Sequence, residues 1–188
     1  MYLSNIVLNK PGVLDMPIKY ILKTLNLSEQ YVPPDGHCQY NSVINCLKTT
    51  HNTHNTHNTL YSVKSLRNTV AKHLLNKKNH YKHFITGNFK LYINGVRNNQ
   101  WGDHITLQAL ADILHCKFII LSPNLSNNKT NISIVKSNNT NAYTHLLILQ
   151  DHHYTSTIIL KNHTLLSYIT PQFISQTLLL FLLLLLFK

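Results

Sequence analysis

The sequence predicts an α+β fold with an antiparallel or mixed sheet. Its 188 residues are 44% apolar, which suffices for one domain with its own core. Apolar residues recur at helical spacing in the first two-thirds of the chain, and short apolar runs typical of strands follow. Helices followed by strands are typical of the α+β class.

Three amphipathic helices are predicted. The segment 31–34 contains two prolines and is expected to be extended, and Asp35-Gly36 is expected to turn the chain into the first helix. Asp103 is a plausible N-cap for the third helix. The three apolar stripes consist of Tyr40, Val43, Ile44 and Leu47, then Val63, Leu66, Val70 and Leu74, then Leu107, Leu110, Ala111 and Leu114.

The strands are predicted in the second half of the chain. Residues 79–100 show a mixed pattern, and residues 124–130 are polar and are expected to form a loop. The predicted strands are 118–121, 132–135, 146–149 and 154–160.

The composition bears on which classes of protein function this chain can have. Seventeen Lys and Arg against six Asp and Glu give a formal charge of +11, which is compatible with nucleic-acid binding. However, the charges are scattered and only two are Arg, so we expect no specific nucleic-acid partner. Three Cys without a C-x-x-C pair exclude a disulfide framework and a Cys-based zinc finger, and they suit a reducing compartment.

Two segments depart from ordinary globular sequence. Residues 51–59 are three HNT repeats, whose histidines suit either a metal site or, as we expect, a tolerated surface insertion. Residues 162–187 contain no Asp, Glu, Lys or Arg, and residues 168–187 are just long enough for a membrane anchor. The alternative is that this tail packs on the domain. We therefore divide the chain into an N-terminal segment (1–29), a domain (30–161) that carries the HNT insertion, and a hydrophobic tail (162–188).

Cys38 is the first candidate for chemistry. It follows the Asp-Gly turn and opens the first helix, where the helix dipole stabilises a thiolate and the loop can direct several N–H groups at one point. The alternative for a single Cys is a small buried apolar residue. A thiolate nucleophile needs a base, and His153, just after the polar turn 150–152, stands at the start of a predicted strand.

Three blocks of sequence together resemble the OTU (ovarian tumour) cysteine proteases, which are mostly deubiquitinases. DGHCQYNSV at 35–43 is similar to the family's D-G-x-C nucleophile motif. WGDHITLQALADILHCKFIIL at 101–121 resembles its W-G-x-H-x-x-L-Q-A-L helix and the next strand. HHYTST at 152–157 resembles the H-Y segment that bears the general base. The resemblance covers about residues 30–160 and implies a papain-type fold with helices packed around a small central sheet.

The resemblance also implies roles for individual residues. Cys38 corresponds to the nucleophile and His153 to the general base, with backbone N–H groups of Gly36, His37 and Cys38 as the oxyanion hole. Asp35 corresponds to the Asp of the nucleophile motif, either as a turn former or with a direct role in catalysis. The resemblance further implies that Trp101 and Gly102 are structural or line the substrate cleft; packing of Trp101 beneath the cleft is the alternative. No metal or cofactor is implied.

The sequence departs from the family pattern at two positions. Where the family often has Asn or Asp two residues after the catalytic His, this chain has Thr155, a possible orienting residue that carries no charge. Asp15 and Asp151 are candidate substitutes. Gln39 stands where the family usually has an apolar residue. These departures keep open a second hypothesis, a weak or inactive OTU-like domain that binds ubiquitin or a related modifier.

The leading hypothesis is a deubiquitinating thiol protease that hydrolyses isopeptide bonds at the ubiquitin C-terminus. Its expected partners are ubiquitin or polyubiquitin chains on protein substrates. A third hypothesis is a basic, His-rich protein that binds nucleic acid or metal. Because no secretory signal is recognisable in residues 1–30, we expect a cytoplasmic location, with possible attachment to a cytosolic membrane face through 168–187.

Overall fold

The computed structural model describes residues 16–51, 61–138 and 143–160, except the side chains of residues 50 and 51. The HNT repeats after residue 51 and the hydrophobic tail (162–188) therefore lie outside the described residues. Among those that are described, no helix is both long enough and apolar enough to span a bilayer.

The described chain contains six helices and five strands. The helices are α1 (Ile18–Thr24), α2 (Cys38–His51), α3 (Val63–Asn76), the short α4 (Lys78–Tyr81), α5 (Phe89–Arg97) and α6 (His104–Leu114). The strands are β1 (Leu27–Gln30), β2 (Cys116–Asn124), β3 (Lys129–Lys136), β4 (Tyr143–Gln150) and β5 (His153–Ile159). The predicted α+β class is confirmed.

The five strands form one mixed sheet in the order β1-β5-β4-β2-β3. Only the β2–β4 pair is parallel, and the other three pairs are antiparallel. The larger core lies between one face of the sheet and helices α2, α3, α5 and α6. A smaller core covers the opposite face, where α1 packs on β2 and β4 through residues that include Ile21, Leu121 and Leu146.

The predicted helices α2, α3 and α6 are confirmed, and most members of their apolar stripes are buried. Asp103 caps α6 as predicted, because its side chain accepts from the Thr106 N–H at 2.8 Å while the Thr106 hydroxyl accepts from the Asp103 N–H. In this capping box each residue satisfies a backbone donor of the other.

The structure differs from the sequence prediction in two places. The mixed segment contains α5, whose first turn is capped by Asn88. The predicted polar loop 124–130 is shorter, because Asn124 pairs with Lys129 across the β2–β3 hairpin. Helix α1 and strand β1 lie within residues 18–30, and β1 pairs with β5.

Candidate active site

The loop before α2 is shaped by Asp35 and Gly36. One carboxylate oxygen of Asp35 accepts the N–H of His37 at 2.8 Å, and the other accepts the Asn41 amide at 3.1 Å. Gly36 has φ +80°, a left-handed conformation that residues with a side chain rarely adopt. Through these contacts Asp35 joins the loop to the first turn of α2, as expected of a turn former, and a direct role of Asp35 in catalysis stays a prediction.

Cys38 is the first residue of α2 and is partly exposed. The other two thiols are different, because burial raises the pKa of Cys46 and of Cys116 to about 12. Of the three cysteines, only Cys38 therefore combines partial exposure with a position at a helix N-terminus.

His153 is placed by a two-residue hairpin turn. Asp151 and His152 both have positive φ, at 50° and 62°, and Gln150 pairs with His153 across the turn. His152 is exposed on the turn, whereas His153 begins β5 and is half-buried. The turn thus fixes which of the two adjacent histidines is held by the sheet.

The His153 ring is held by a main-chain carbonyl. Its Nε2 lies 3.0 Å from the carbonyl oxygen of Val32, a fully buried residue of the extended segment 31–34. A carbonyl can only accept a hydrogen bond, so Nε2 carries the proton in the neutral ring. The lone pair is then on Nδ1, which is the atom available to act as a base.

Gln39 connects the start of α2 to the start of β5. This buried side chain donates to the Asp103 carbonyl at 2.9 Å, accepts from the Thr106 hydroxyl at 2.8 Å and lies close to Tyr154. Burial raises the pKa of Tyr154, while the nearby Gln39 lowers it and the nearby Cys38 raises it. Cys38 and His153 are chain neighbours of Gln39 and Tyr154, so the approach of these two residues brings the start of α2 close to the start of β5.

Trp101 lies beside the loop and is not packed beneath it. Its side chain is 67% exposed, and its indole Nε1 lies 3.6 Å from the position of a Cβ built on Gly36. Packing beneath the cleft is therefore wrong for Trp101. Position 102, in contrast, requires glycine, because the Gln39 side chain packs so closely against it that a Cβ would overlap that side chain.

Thr155 contacts a carboxylate that the sequence did not indicate. Its hydroxyl donates at 2.6 Å to Glu29 of β1, the strand next to β5. No contact between Thr155 and the His153 ring is seen among the described residues, and an orienting role for Thr155 stays a prediction. Of the proposed substitutes, Asp151 is exposed on the hairpin turn, and Asp15 lies outside the described residues.

Sequence reasoning also missed Arg67, a residue that is only 2% exposed. Its guanidinium lies 4.3 Å from the centre of the Tyr40 ring and contacts the loop before Cys38 at two atoms. Burial lowers the pKa of Arg67, and the nearby Tyr40 and Asp35 oppose that shift. Arg67 lies four residues after Val63 and three before Val70, on the apolar face of α3, and a charged residue at that position was the available signal.

Comparison with known proteins identifies the family. The family model of OTU-like cysteine proteases matches residues 33–163. Deubiquitinating enzyme 10 of Arabidopsis thaliana, which contains an ovarian tumour domain, is 30% identical over 102 residues, covering 54% of this chain and 26% of its own length. Deubiquitinase OTUD6B of Gallus gallus is 30% identical over 94 residues, covering 44% of this chain and 29% of its own. The chain thus spans less than half the length of these relatives.

Solved structures show the same fold. The OTU domain of OTUD1 aligns with a TM-score of 0.62 at 17% identity, covering 74% of this chain and 90% of that one. An OTU deubiquitinase from Wolbachia pipientis wMel, bound to ubiquitin, aligns with a TM-score of 0.56 at 15% identity, covering 71% and 96%. The papain-type α+β fold expected from the three motifs is therefore confirmed, and the chain belongs to the family of OTU-like cysteine proteases.

Proposed function

We propose that this protein is a deubiquitinase that cleaves isopeptide bonds at the ubiquitin C-terminus, with Cys38 as nucleophile and His153 as general base. The observation that carries the proposal is the pairing of an accessible thiol at the start of α2 with a histidine whose Nε2 is held by the Val32 carbonyl, so that Nδ1 is left to act as a base. Relatives named as deubiquitinases and a fold neighbour solved with ubiquitin support the choice of substrate.

The proposed reaction follows from these positions. The Cys38 thiolate attacks the carbonyl carbon of the isopeptide bond, and the carbonyl oxygen takes the negative charge. Protonated His153 gives its proton to the departing lysine amine as the C–N bond breaks, which leaves a thioester on Cys38. His153 then removes a proton from water, which attacks the thioester and releases the ubiquitin carboxylate and the thiol.

The oxyanion requires backbone donors near Cys38. The His37 N–H already donates to Asp35, whereas the N–H groups of Gly36 and Cys38 have no partner among the described residues. Of the three predicted backbone donors, we therefore assign the larger share of oxyanion stabilisation to the N–H groups of Gly36 and Cys38. Two well-aimed donors of this kind are typical of acyl-transfer sites.

The Val32 carbonyl takes the orienting role that a side chain often fills in this family. Its oxygen fixes the tautomer and the plane of the His153 ring, while Pro33 restricts the backbone that follows it. A carbonyl carries no full charge, so it stabilises imidazolium less than a carboxylate does. We therefore expect the proposed enzyme to be active without an essential contribution from Thr155.

The second candidate function is ubiquitin binding with little or no turnover. The Thr155 hydroxyl donates to Glu29. This observation favours the second candidate, because no contact of the side chain two residues after His153 with the His153 ring is seen among the described residues. This candidate predicts that Cys38→Ala leaves ubiquitin affinity unchanged and that the unmutated chain shows no turnover.

Hydrolysis of ubiquitin carrying a C-terminal fluorogenic amide tests the two candidates. We expect turnover by the unmutated chain, none by Cys38→Ala, and a loss of about 10²-fold or more for His153→Ala. His152→Ala is the matched control and should retain activity, because His152 lies exposed on the turn. Absence of turnover together with saturable ubiquitin binding would establish the second candidate instead.

The proposed location is the cytoplasm, and its support is chemical. All three cysteines are free thiols, which suits a reducing compartment. Attachment to a cytosolic membrane face through residues 168–187 is part of this proposal. Membrane fractionation of the full chain beside a chain ending at residue 161 tests the attachment, which predicts that only the full chain sediments with membranes.

A further inference from the structure

The loop before Cys38 rests on one buried cation. Arg67 Nη2 lies 3.3 Å from the Gly36 carbonyl oxygen and 2.8 Å from the His37 ring Nδ1. The other terminal nitrogen, Nη1, donates to the carbonyls of Val96 and Gln100 at 3.0 and 2.9 Å. One planar guanidinium therefore joins the end of α5 to two consecutive residues of the loop.

Burial of this cation costs free energy of desolvation. A charged group that is only 2% exposed loses most of its hydration, and the Nε of Arg67 has no partner among the described residues. Its compensation comes from carbonyls, from the face of Tyr40 at 4.3 Å and from the nearby Asp35. Two of the contacts, those with Gly36 and His37, fall on the segment from which the oxyanion donors come.

The contact with His37 also specifies a protonation state. A guanidinium can only donate, so His37 Nδ1 must be unprotonated to accept from it. Asp35 is the acidic group that faces this pair, and it is occupied by the His37 N–H and Asn41.

We propose that Arg67 is a positioning residue that holds Gly36 and His37 so that the backbone donors of this loop point at the oxyanion. The inference rests on the proposed thiol-hydrolase function. Arg67 does not touch the reacting atoms and acts through the Gly36 carbonyl and the His37 ring. It raises the rate of steps that form an oxyanion and leaves the nucleophilicity of Cys38 almost unchanged.

Two reactions of the same sulfur separate these effects. Alkylation of Cys38 by iodoacetamide forms an S–C bond as iodide leaves and passes through no oxyanion, whereas hydrolysis of a ubiquitin C-terminal amide forms one. For Arg67→Met we expect kcat of hydrolysis to fall about 10- to 100-fold, with the alkylation rate nearly unchanged. Arg97→Met is the matched control, since Arg97 is the other arginine of the chain and is exposed.

A second variant keeps the buried cation in place and removes only its contact with His37. His37→Leu deletes the ring nitrogen that lies 2.8 Å from Arg67 Nη2. We expect kcat of hydrolysis to fall in the same direction as in Arg67→Met but by less, because the Gly36 carbonyl still contacts Arg67, with the alkylation rate nearly unchanged. Unchanged hydrolysis by His37→Leu would overturn the role of the Arg67–His37 contact.

Amide hydrogen exchange of the full chain supplies a measurement that does not depend on turnover. Arg67→Met should speed exchange at His37 and Asn41, whose N–H groups donate to Asp35 and to the His37 carbonyl, while α6 stays protected. If exchange at His37 and Asn41 is unchanged, or if alkylation and hydrolysis fall together, the positioning role is wrong. If the unmutated chain hydrolyses nothing while the exchange result holds, the deubiquitinase proposal fails and the placement of the loop by Arg67 stands.

Discussion

Gly102→Ala is expected to destabilise the fold strongly, although it adds a single methyl group. A Cβ at this position would lie 2.5 Å from Gln39 Cδ and 2.8 Å from Gln39 Cβ, and closer still to Oε1. Gln39 is 1% exposed and cannot simply turn away, because its amide is held by the Asp103 carbonyl and the Thr106 hydroxyl. The new methyl group must therefore break these hydrogen bonds or move the backbone.

The magnitude follows from these contacts. Two buried hydrogen bonds are worth about 1 kcal/mol each, and overpacking adds about 1–3 kcal/mol. We expect Gly102→Ala to lower the free energy of unfolding by about 3–5 kcal/mol. The same change should also reduce turnover by the folded fraction, since Gln39 follows Cys38 directly.

Gly95→Ala is the matched control. A Cβ on Gly95 would also meet a glutamine, but only the terminal Oε1 of Gln100 is very close, while its Cδ and Cβ lie at 3.1 and 3.3 Å. Gln100 is partly exposed and its amide is free to rotate, and an Ala inside α5 gains up to about 1 kcal/mol of helix propensity. We expect its free energy of unfolding to change by less than about 1 kcal/mol.

Equilibrium urea unfolding, followed by circular dichroism, measures these differences. A double-mutant cycle then tests the stated cause. In a Gln39→Gly background, which removes all three close contacts, Gly102→Ala should cost less than about 1 kcal/mol. If Gly102→Ala costs the same in both backgrounds, the clash with Gln39 is not the reason for a glycine at this position.

Three further predictions concern pH, the hairpin turn and Thr155. Burial raises the pKa of Cys46 and Cys116 to about 12, above the ordinary value of 9.0, so their contribution to stability is complete below pH ~9 and is lost as the pH rises towards 12. The free energy of unfolding should fall by about 1.4 kcal/mol per pH unit for each thiol in that window, and an unchanged slope in Cys116→Ala would contradict this origin. His152→Gly should raise the free energy of unfolding by about 0.5–1 kcal/mol, because φ 62° strains a residue that has a Cβ; a loss of stability in urea unfolding would refute the assigned turn geometry. Thr155→Val should keep kcat/KM for the ubiquitin amide within about tenfold, because the Val32 carbonyl holds the His153 ring, and a loss of 10³-fold or more would show that Thr155 is the orienting residue.

The parts of the fold that local pattern encodes were predictable. Helices α2, α3 and α6 have clear apolar stripes, and α6 also carries its cap at Asp103. Helix α1 has only seven residues and no side-chain cap, so its stability comes from packing on the sheet. Strand β1 has the polar sequence LSEQ, and only its pairing with β5, far along the chain, makes it a strand.

The candidate site likewise has parts that the sequence predicts and parts that it does not. Cys38 and His153 stand in local motifs that the sequence displays, whereas their supports come from distant segments. The Val32 carbonyl has no sequence signature, since any residue would supply it. Glu29 reaches Thr155 through strand pairing, and Arg67 reaches His37 through packing of α3. Side chains and carbonyls that meet only in the folded chain cannot be read from spacing.

Covalent capture by ubiquitin that carries a C-terminal electrophile, read by intact mass and peptide mapping of the full chain, tests whether Cys38 is the nucleophile. We predict one adduct per chain on Cys38, lost in Cys38→Ala and slowed in His153→Ala, with Cys46 and Cys116 unmodified. An adduct on another residue, or no adduct on a folded chain, would contradict Cys38 as the nucleophile of a ubiquitin-directed protease.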